Sequence, residues 1–475
     1  MPAGYRRLEL FGVDSAPLLG MAAGAMGFSL LVLIHPPTGL LLGILLCTGL
    51  PLLYLTSRDA LFPTLATLLF LPFHNSPVLN PNIMGIQGMK PFNLLAVTAI
   101  AAAFLWLLTH RQARVSRKAV FIGFTIYFSV WTLTSIRSLP NYQVIRHALS
   151  EENRGLADYI LSFYIRPSLL AFMFIAVLLL ARSPRSIAKV LLAISISIFV
   201  MSLAIFLIVI EQGAFGQSRD VIRAFFRIYL GLQYNTLGTI YILTTPILLY
   251  RALQPGIFEK FNYFFSLTAL LIIGSRSALL VCAATNLAAL LVLRRPGLAL
   301  TMSLAVGAVV LLAIGPTASA LRSIGLEPGS GLSFDAVISN RVTIFWEPLL
   351  QEWAQQPWKF WFGAGRYGIL TSQLSLAGAL MGVEHAHNGI VDFFLDSGLI
   401  LTIVLVVCLI SALAWCWRVG CRLRDPMFWC LSLSLFGYLL ASLTERGFYP
   451  NYDNAYVFPI FAVLVNLAWL RRDDT

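Results

Sequence analysis

Charge is what this sequence has least of. Only 11% of its 475 residues are charged, against 58% apolar, and no water-soluble domain is built that way. Cysteine is sparse and poorly placed for crosslinking. Cys47, Cys282, Cys408, Cys416 and Cys430 fall in or at the ends of apolar runs, and Cys421 falls in a short basic loop, so neither a disulfide framework nor a cysteine zinc site is suggested. Internal repeats and low-complexity tracts are missing. So is the alternating ten-residue pattern of an outer-membrane barrel. No Walker motif, GxGxxG fingerprint, GxSxG elbow or HExxH occurs, so ATP-driven and zinc-peptidase chemistry have no support. Histidine is rare, six in all, yet His385 and His387 share one stretch, "GVEHAHNGIVDFFLDSGLIL" (Gly382 to Leu401), at the mouth of an apolar run.

What the chain has in abundance is apolar runs of span length. A span needs ~20 mostly apolar residues. Backbone groups in lipid must be paired internally, so such runs are helices. Candidate spans begin near residues 16, 38, 60, 91, 119, 167, 188, 231, 261, 276, 298, 388, 426 and 455. Those at 60 and 261 are short, so the expectation is an all-α polytopic integral membrane protein with 12–14 transmembrane helices. The first run, about Ala16 to Ile34, lacks a small-residue cleavage site and reads as an uncleaved span. Lys and Arg set the orientation. With the N terminus inside, the inner segments hold 19 basic and 7 acidic residues, which accounts for the whole net charge of +12. Both termini are then cytoplasmic, and the basic balance needs no nucleic acid to explain it. The chain divides into residues 1–315 with about eleven spans, a large outer loop with amphipathic helices at 316–387, and about three spans in 388–475.

Four stretches on the outer side carry candidate chemistry. In the large loop, after a Gly/Pro/Ser-rich lead-in (Pro316 to Asn340), Ile344, Phe345, Leu349, Leu350 and Trp353 recur at helical spacing behind Arg341. Trp346, Trp353, Trp358 and Trp361 are of the kind that rests at the headgroup level, so a helix lying on the outer surface is expected, as an anchor or as part of a site. Arg276, in "IGSRSALL", lies between two apolar runs and must snorkel to water or meet a counter-charge. Arg219, Arg223 and Arg227 at i, i+4, i+8 make one basic stripe, suited to phosphate or else a solvated face with Asp220 and Glu211 as partners. His385 and His387 admit three readings: metal ligands with Glu384 or Asp392, structural groups bonded to backbone, or a general base.

The stretch "HAHNGIVDFFLDSGLIL" resembles the signature of the O-antigen ligase and Wzy-type polysaccharide polymerase superfamily. His387 and Asn388 lead, nine residues intervene, and Gly398 follows on schedule; Leu401 departs from the Gly, Thr or Tyr of that pattern. Three further elements agree in order. They are the Ser275-Arg276 turn, Arg341 opening an amphipathic helix, and Pro357 followed by Gly363-Ala364-Gly365. The likeness runs from about residue 220 to 400, and the first 200 residues match only in hydropathy.

The resemblance implies a GT-C-like, multi-span glycosyltransferase of the bacterial inner membrane that uses neither nucleotide nor metal and no cofactor. Its donor would be an undecaprenyl-diphosphate-linked oligosaccharide presented at the periplasmic face. Its acceptor would be a hydroxyl of another lipid-linked glycan, of lipid A-core, or of a protein serine. Arg276 and Arg341 would stabilise the departing diphosphate, with Arg219, Arg223 and Arg227 in reserve, and His387 would take the hydroxyl proton. Asn388 would orient base or acceptor, and His385, Glu384 and Asp392 would support them. Polymerisation of O-antigen or exopolysaccharide repeats is favoured over ligation because Arg227 stands eleven residues before Gly238, a spacing of some polymerases. A chain-length regulator or export machinery is a possible partner. A lipid-linked glycan flippase would instead place ionisable groups near the midplane, whereas the span interiors here are almost uncharged.

Overall fold

The computed structural model describes residues 59–83, 90–109, 118–149, 155–213, 219–302, 341–378, 380, 383–444, 447–451 and 454–473. The expected spans near 16 and 38, most of that near 298, and the lead-in Pro316 to Asn340 lie outside them. Every described regular element is a helix, as an apolar chain without internal polar pairing partners requires.

The elements are α1 (Phe62–Phe70), α2 (Pro91–Thr109), α3 (Lys118–Ser138), α4 (Tyr142–Ala148), α5 (Leu156–Ile160), α6 (Arg166–Leu180), α7 (Pro184–Glu211), α8 (Arg219–Leu230), α9 (Tyr234–Ala252), α10 (Ile257–Ile273) and α11 (Arg276–Val292). After the large loop begins come α12 (Glu347–Ala354), α13 (Pro357–Phe362), α14 (Gln373–Leu376), α15 (Gly389–Leu423), α16 (Pro426–Ser442) and α17 (Val457–Asp473). Five helical stretches among the described residues are long and apolar enough to cross a bilayer: Pro91–Thr109, Val120–Ala148, Leu156–Leu180, Pro184–Glu211 and Gly389–Leu423. The chain is an all-α polytopic membrane protein. One boundary differs from expectation. The run expected from 167 starts at Leu156, because a π turn at Leu161–Ile165 joins α5 to α6 without a break.

Packing sorts the loops onto two ends. Gly238 of α9 meets Ser275 and Ala278, and Thr245 bonds Cys282 and Asn286, so α9 and α11 run parallel and start at the same end. Gly437 of α16 meets Ile242, Val281 and Thr285, where glycine permits close helix approach. At the end where α9 starts, Asn75 and Ser76 donate to the carbonyls of Gly231 and Tyr229. The opposite end holds the ion pairs Arg251–Glu259, Lys189–Asp59 and Arg471–Asp425, and Arg182 lies over Trp106 there at 4.1 Å. The described members of the basic set expected inside therefore gather at one end, and the candidate chemistry gathers at the other.

Most of the buried apolar side chains form one core between α1, α2, α6, α7, α9, α10, α11, α16 and α17. Through its middle turns α15 stands off from this core, with Ile403, Val407 and Ile410 exposed, as suits side chains that face lipid, and Cys416, Val419 and Leu423 bring its last turns back against it. A second, smaller core lies beneath the large loop, where Leu349 and Trp353 pack with Ile145, Tyr159, Phe394 and Leu395.

Candidate active site

The site is organised by a break in α15. Gly398 has φ 79° and ψ 176°, so the helix that starts at Gly389 is interrupted there and resumes beyond. The interruption turns backbone carbonyls outward. Leu395 O accepts from Ala364 N at 2.9 Å and from Trp353 Nε1 at 3.2 Å, and Asp396 O accepts from Gly365 N at 2.9 Å. The next residue, Arg366, donates its N–H to Thr134 O of α3 at 2.9 Å. The Gly-x-Gly segment is thus a plug for the break. Glycine is required on both sides. A Cβ on Gly398 would land on the Trp361–Phe362 peptide, and one on Gly363 (φ 76°) would land on the carbonyl of Asp396. Gly363→Ala combines a positive φ with a backbone clash, so it is expected to destabilise the fold by about 3 kcal/mol or more, read as a lower unfolding midpoint of the detergent-solubilised chain.

Between the break and the large loop sits the histidine loop, and side chains from three directions hold its backbone. Asn388 caps α15, its Oδ1 accepting from Ile390 N at 3.0 Å and Val391 N at 3.2 Å. Asp392, one turn on, accepts from Ala386 N at 2.6 Å, while Ala386 O accepts from Trp346 Nε1 at 2.7 Å. Arg341 donates through Nη1 to Thr444 O at 2.9 Å and to His387 O at 3.4 Å. So held, His387 adopts φ 52°, a left-handed conformation uncommon for a non-glycine residue. The His385 and His387 rings meet nearly edge-on, 4.2 Å between centroids, and His387 N donates to His385 Nδ1 at 3.3 Å. Gly389 packs directly on Gly447, where a Cβ would approach Gly447 Cα to 2.7 Å, which lets the 447–451 loop lie across the start of α15.

Two residues that sequence reasoning did not select complete the arrangement. Asp396 is buried and accepts from Gly368 N at 2.7 Å and from Arg366 Nη1 at 3.4 Å. The Arg366 guanidinium lies over Tyr367, Tyr449 and Trp131, 4.6, 4.9 and 5.4 Å from their ring centroids. Burial drives the Tyr449 phenol well above its ordinary range, so it stays neutral. Removing one partner of so buried an ion pair typically costs about 3–5 kcal/mol. A signal existed for Arg366, which directly follows the Gly-x-Gly. For Asp396 there was none beyond its place in the histidine stretch. Next to the pair opens a small cleft, lined among others by Arg366, Glu384, His385, Asp392, Asp396 and Tyr449.

The other expected residues fall as follows. Arg276 opens α11, at the end of the bundle where α9 also starts; its side chain lies outside the described residues. The Arg219 side chain is outside them too. Arg223 is half-buried over the Tyr234 ring at 3.8 Å and Arg227 is exposed, both on α8 at the site end. The helix behind Arg341 departs from expectation. A π turn at Val342–Trp346 inserts an extra residue and rotates the register, so Leu349 and Trp353 are fully buried while Ile344 and Leu350 are exposed. Trp353 and Trp346 brace the site through their indole N–H groups, leaving Trp358 and Trp361 as the exposed pair. Leu401 packs at the aromatic cluster of Trp131, Phe393 and Tyr449, a packing role. His74, also at this end, is pushed down to about 4 by burial and bonds Leu71 O through Nδ1 at 2.5 Å, a structural group.

Residues 261–406 match the family model Wzy_C, described as O-antigen ligase. Over those residues the chain is similar to the O-antigen ligase and Wzy superfamily. The ligase-family match runs from α10 through the large loop and across the break at Gly398, so it takes in Arg276, Arg341, His387, Arg366 and Asp396. It supports a membrane enzyme of the glycan-transferring ligase or polymerase type. No curated protein matches the chain.

Proposed function

We propose that this chain transfers an undecaprenyl-diphosphate-linked glycan to an acceptor hydroxyl at the periplasmic face of the bacterial inner membrane. The observation that carries the reading is the bond from the Arg341 guanidinium to the backbone of His387, at the end of the bundle where Arg276 opens α11. A cation and a histidine separated by 46 residues are thereby neighbours. In the proposed step, His387 takes the proton of the acceptor hydroxyl as its oxygen bonds to the anomeric carbon. The anomeric C–O bond breaks, and its electron pair leaves with the lipid diphosphate. Arg341, and Arg276 in its assigned role, would stabilise that growing charge, which is where fixed cations lower a barrier rather than merely bind substrate. Arg223 and Arg227 on α8 would meet the donor's phosphates before the reaction. Asn388 serves through its cap, which fixes the direction of the first turns of α15.

The outward orientation rests on the sorting of basic residues to the opposite end of the bundle. Polymerisation of repeat units is the preferred reaction, on the Arg227-to-Gly238 spacing. Ligation to lipid A-core is the second reading, favoured by the description of the matching family. Proteoliposomes holding lipid-linked oligosaccharide, with and without lipid A-core, separate the two. Glycan ladders formed without the core mean polymerase, and a single transfer that demands the core means ligase. Turnover in either case is expected to persist in EDTA, and loss restored only by a divalent ion would return His385 and His387 to a metal role.

A further inference from the structure

The turn that carries His387 has a seat of its own, and that seat is fixed from beneath. Gly389 lies against Gly447, where a Cβ on Gly447 would come within 2.7 Å of Gly389 Cα and one on Gly389 within 3.1 Å of Ser442 O, at the end of α16. No side chain separates the two backbones, so a shift of Gly447 passes straight to the start of α15. Gly447 is pinned in turn. Its carbonyl accepts from the Tyr438 hydroxyl of α16 and from Asn454 Nδ2 at 3.1 Å. The same amide reaches Tyr449 O at 2.6 Å and Tyr438 Oη at 3.2 Å. Asn454 Oδ1 accepts from Asn451 N at 3.0 Å, and Asn451 Oδ1 accepts from Asn454 N at 3.1 Å. Asn454 and Tyr438 are both buried. Arg341 has a different mount. It is anchored on Thr444 O, and Thr444 N donates to Ala441 O at the end of α16.

We propose that Asn454 and Tyr438 are positioning residues which, acting through Gly447, set where His387 stands relative to Arg341. This role rests on the transfer reading above, in which base and cation must reach the same breaking bond. Misplacing one such group by about 1 Å can cost about 10²-fold in rate.

The test uses Gly447→Ala, Asn454→Ala and Tyr438→Phe, each alone and combined with His387→Asn. Gly447→Ala forces the two backbones apart without removing a hydrogen-bonding group, and the other two remove the pins. Transfer from lipid-linked oligosaccharide is measured in proteoliposomes, and binding of undecaprenyl diphosphate is measured on the same purified full-length chains. In Gly447→Ala and Asn454→Ala, kcat is expected to fall by about 10–100-fold. It falls by less in Tyr438→Phe, which leaves the Asn454 bond in place. Affinity for undecaprenyl diphosphate is expected to stay within about twofold, because Arg341 keeps its mount on Thr444. In the His387→Asn background the same substitutions are expected to cost less than about twofold more, since nothing is left for them to position. A residue that merely supports the fold would cost the same factor in both backgrounds. Tyr438→Phe, which removes a single oxygen, carries the cycle should either other variant fail to insert. Wild-type kcat in the variants, an undiminished cost in the asparagine background, or a parallel loss of diphosphate binding would overturn the positioning role and leave the transfer reading standing. A near-normal rate in His387→Asn alone would overturn both.

Discussion

Exchanging His387 for asparagine is expected to slow glycan transfer by roughly 10²–10⁴-fold, the span set by loss of a general base. Asparagine is chosen because the position has φ 52°, and asparagine tolerates that left-handed conformation better than most residues. The loop's backbone bonds to Arg341, Trp346, Asp392 and His385 Nδ1 do not use the His387 imidazole. The variant should therefore fold and insert as the wild type does, and donor should accumulate on the outer side of the membrane. Donor trapped inside would instead mark a flippase. Transfer at a near-normal rate would remove His387 from the chemistry.

Arg341→Ala is the second large effect. Its guanidinium is the proposed counter-charge for the departing diphosphate, and losing such a group costs about 3–4 kcal/mol of barrier by analogy with an oxyanion donor, or roughly 10²–10³-fold in rate. The same side chain holds the carbonyls of Thr444 and His387, so the loop loses its tether together with its charge. Arg341→Lys separates the two roles. An ammonium keeps the charge but not the planar fork, and the expected rate lies between the alanine variant and the wild type. Arg276→Ala should fail in the same assay, and near-normal turnover in both alanine variants would remove the cation role.

The helices were legible because the length of an apolar run and the bilayer impose the same answer. α2, α7 and α16 begin within a few residues of where the apolar runs do. The large-loop helix was legible only as a helix. Its apolar face was misjudged because the π turn at Val342–Trp346 shifts the register, and no residue type announces such a turn. The glycines at 363, 365 and 398 could be read as a motif, but not that one pair plugs the break made by the third. Asn388 was legible as part of a signature, while its capping bond needs only a polar side chain before an apolar run and could have been read directly. Arg366 and Asp396 stand thirty residues apart, and their pairing depends on the plug bringing 363–368 against α15. Pairings of that kind belong to the tertiary fold and leave no periodic trace in the chain.

The central claim is that cation and base share one reaction centre, and the most direct measurement is an experimental structure with undecaprenyl diphosphate bound. The account predicts the diphosphate within hydrogen-bonding reach of the Arg341 and Arg276 guanidinium groups, with the His387 imidazole close enough to reach the anomeric position directly or through one water. A diphosphate bound more than about 15 Å from His387, or at the end of the bundle that holds Arg251 and Arg471, would contradict it.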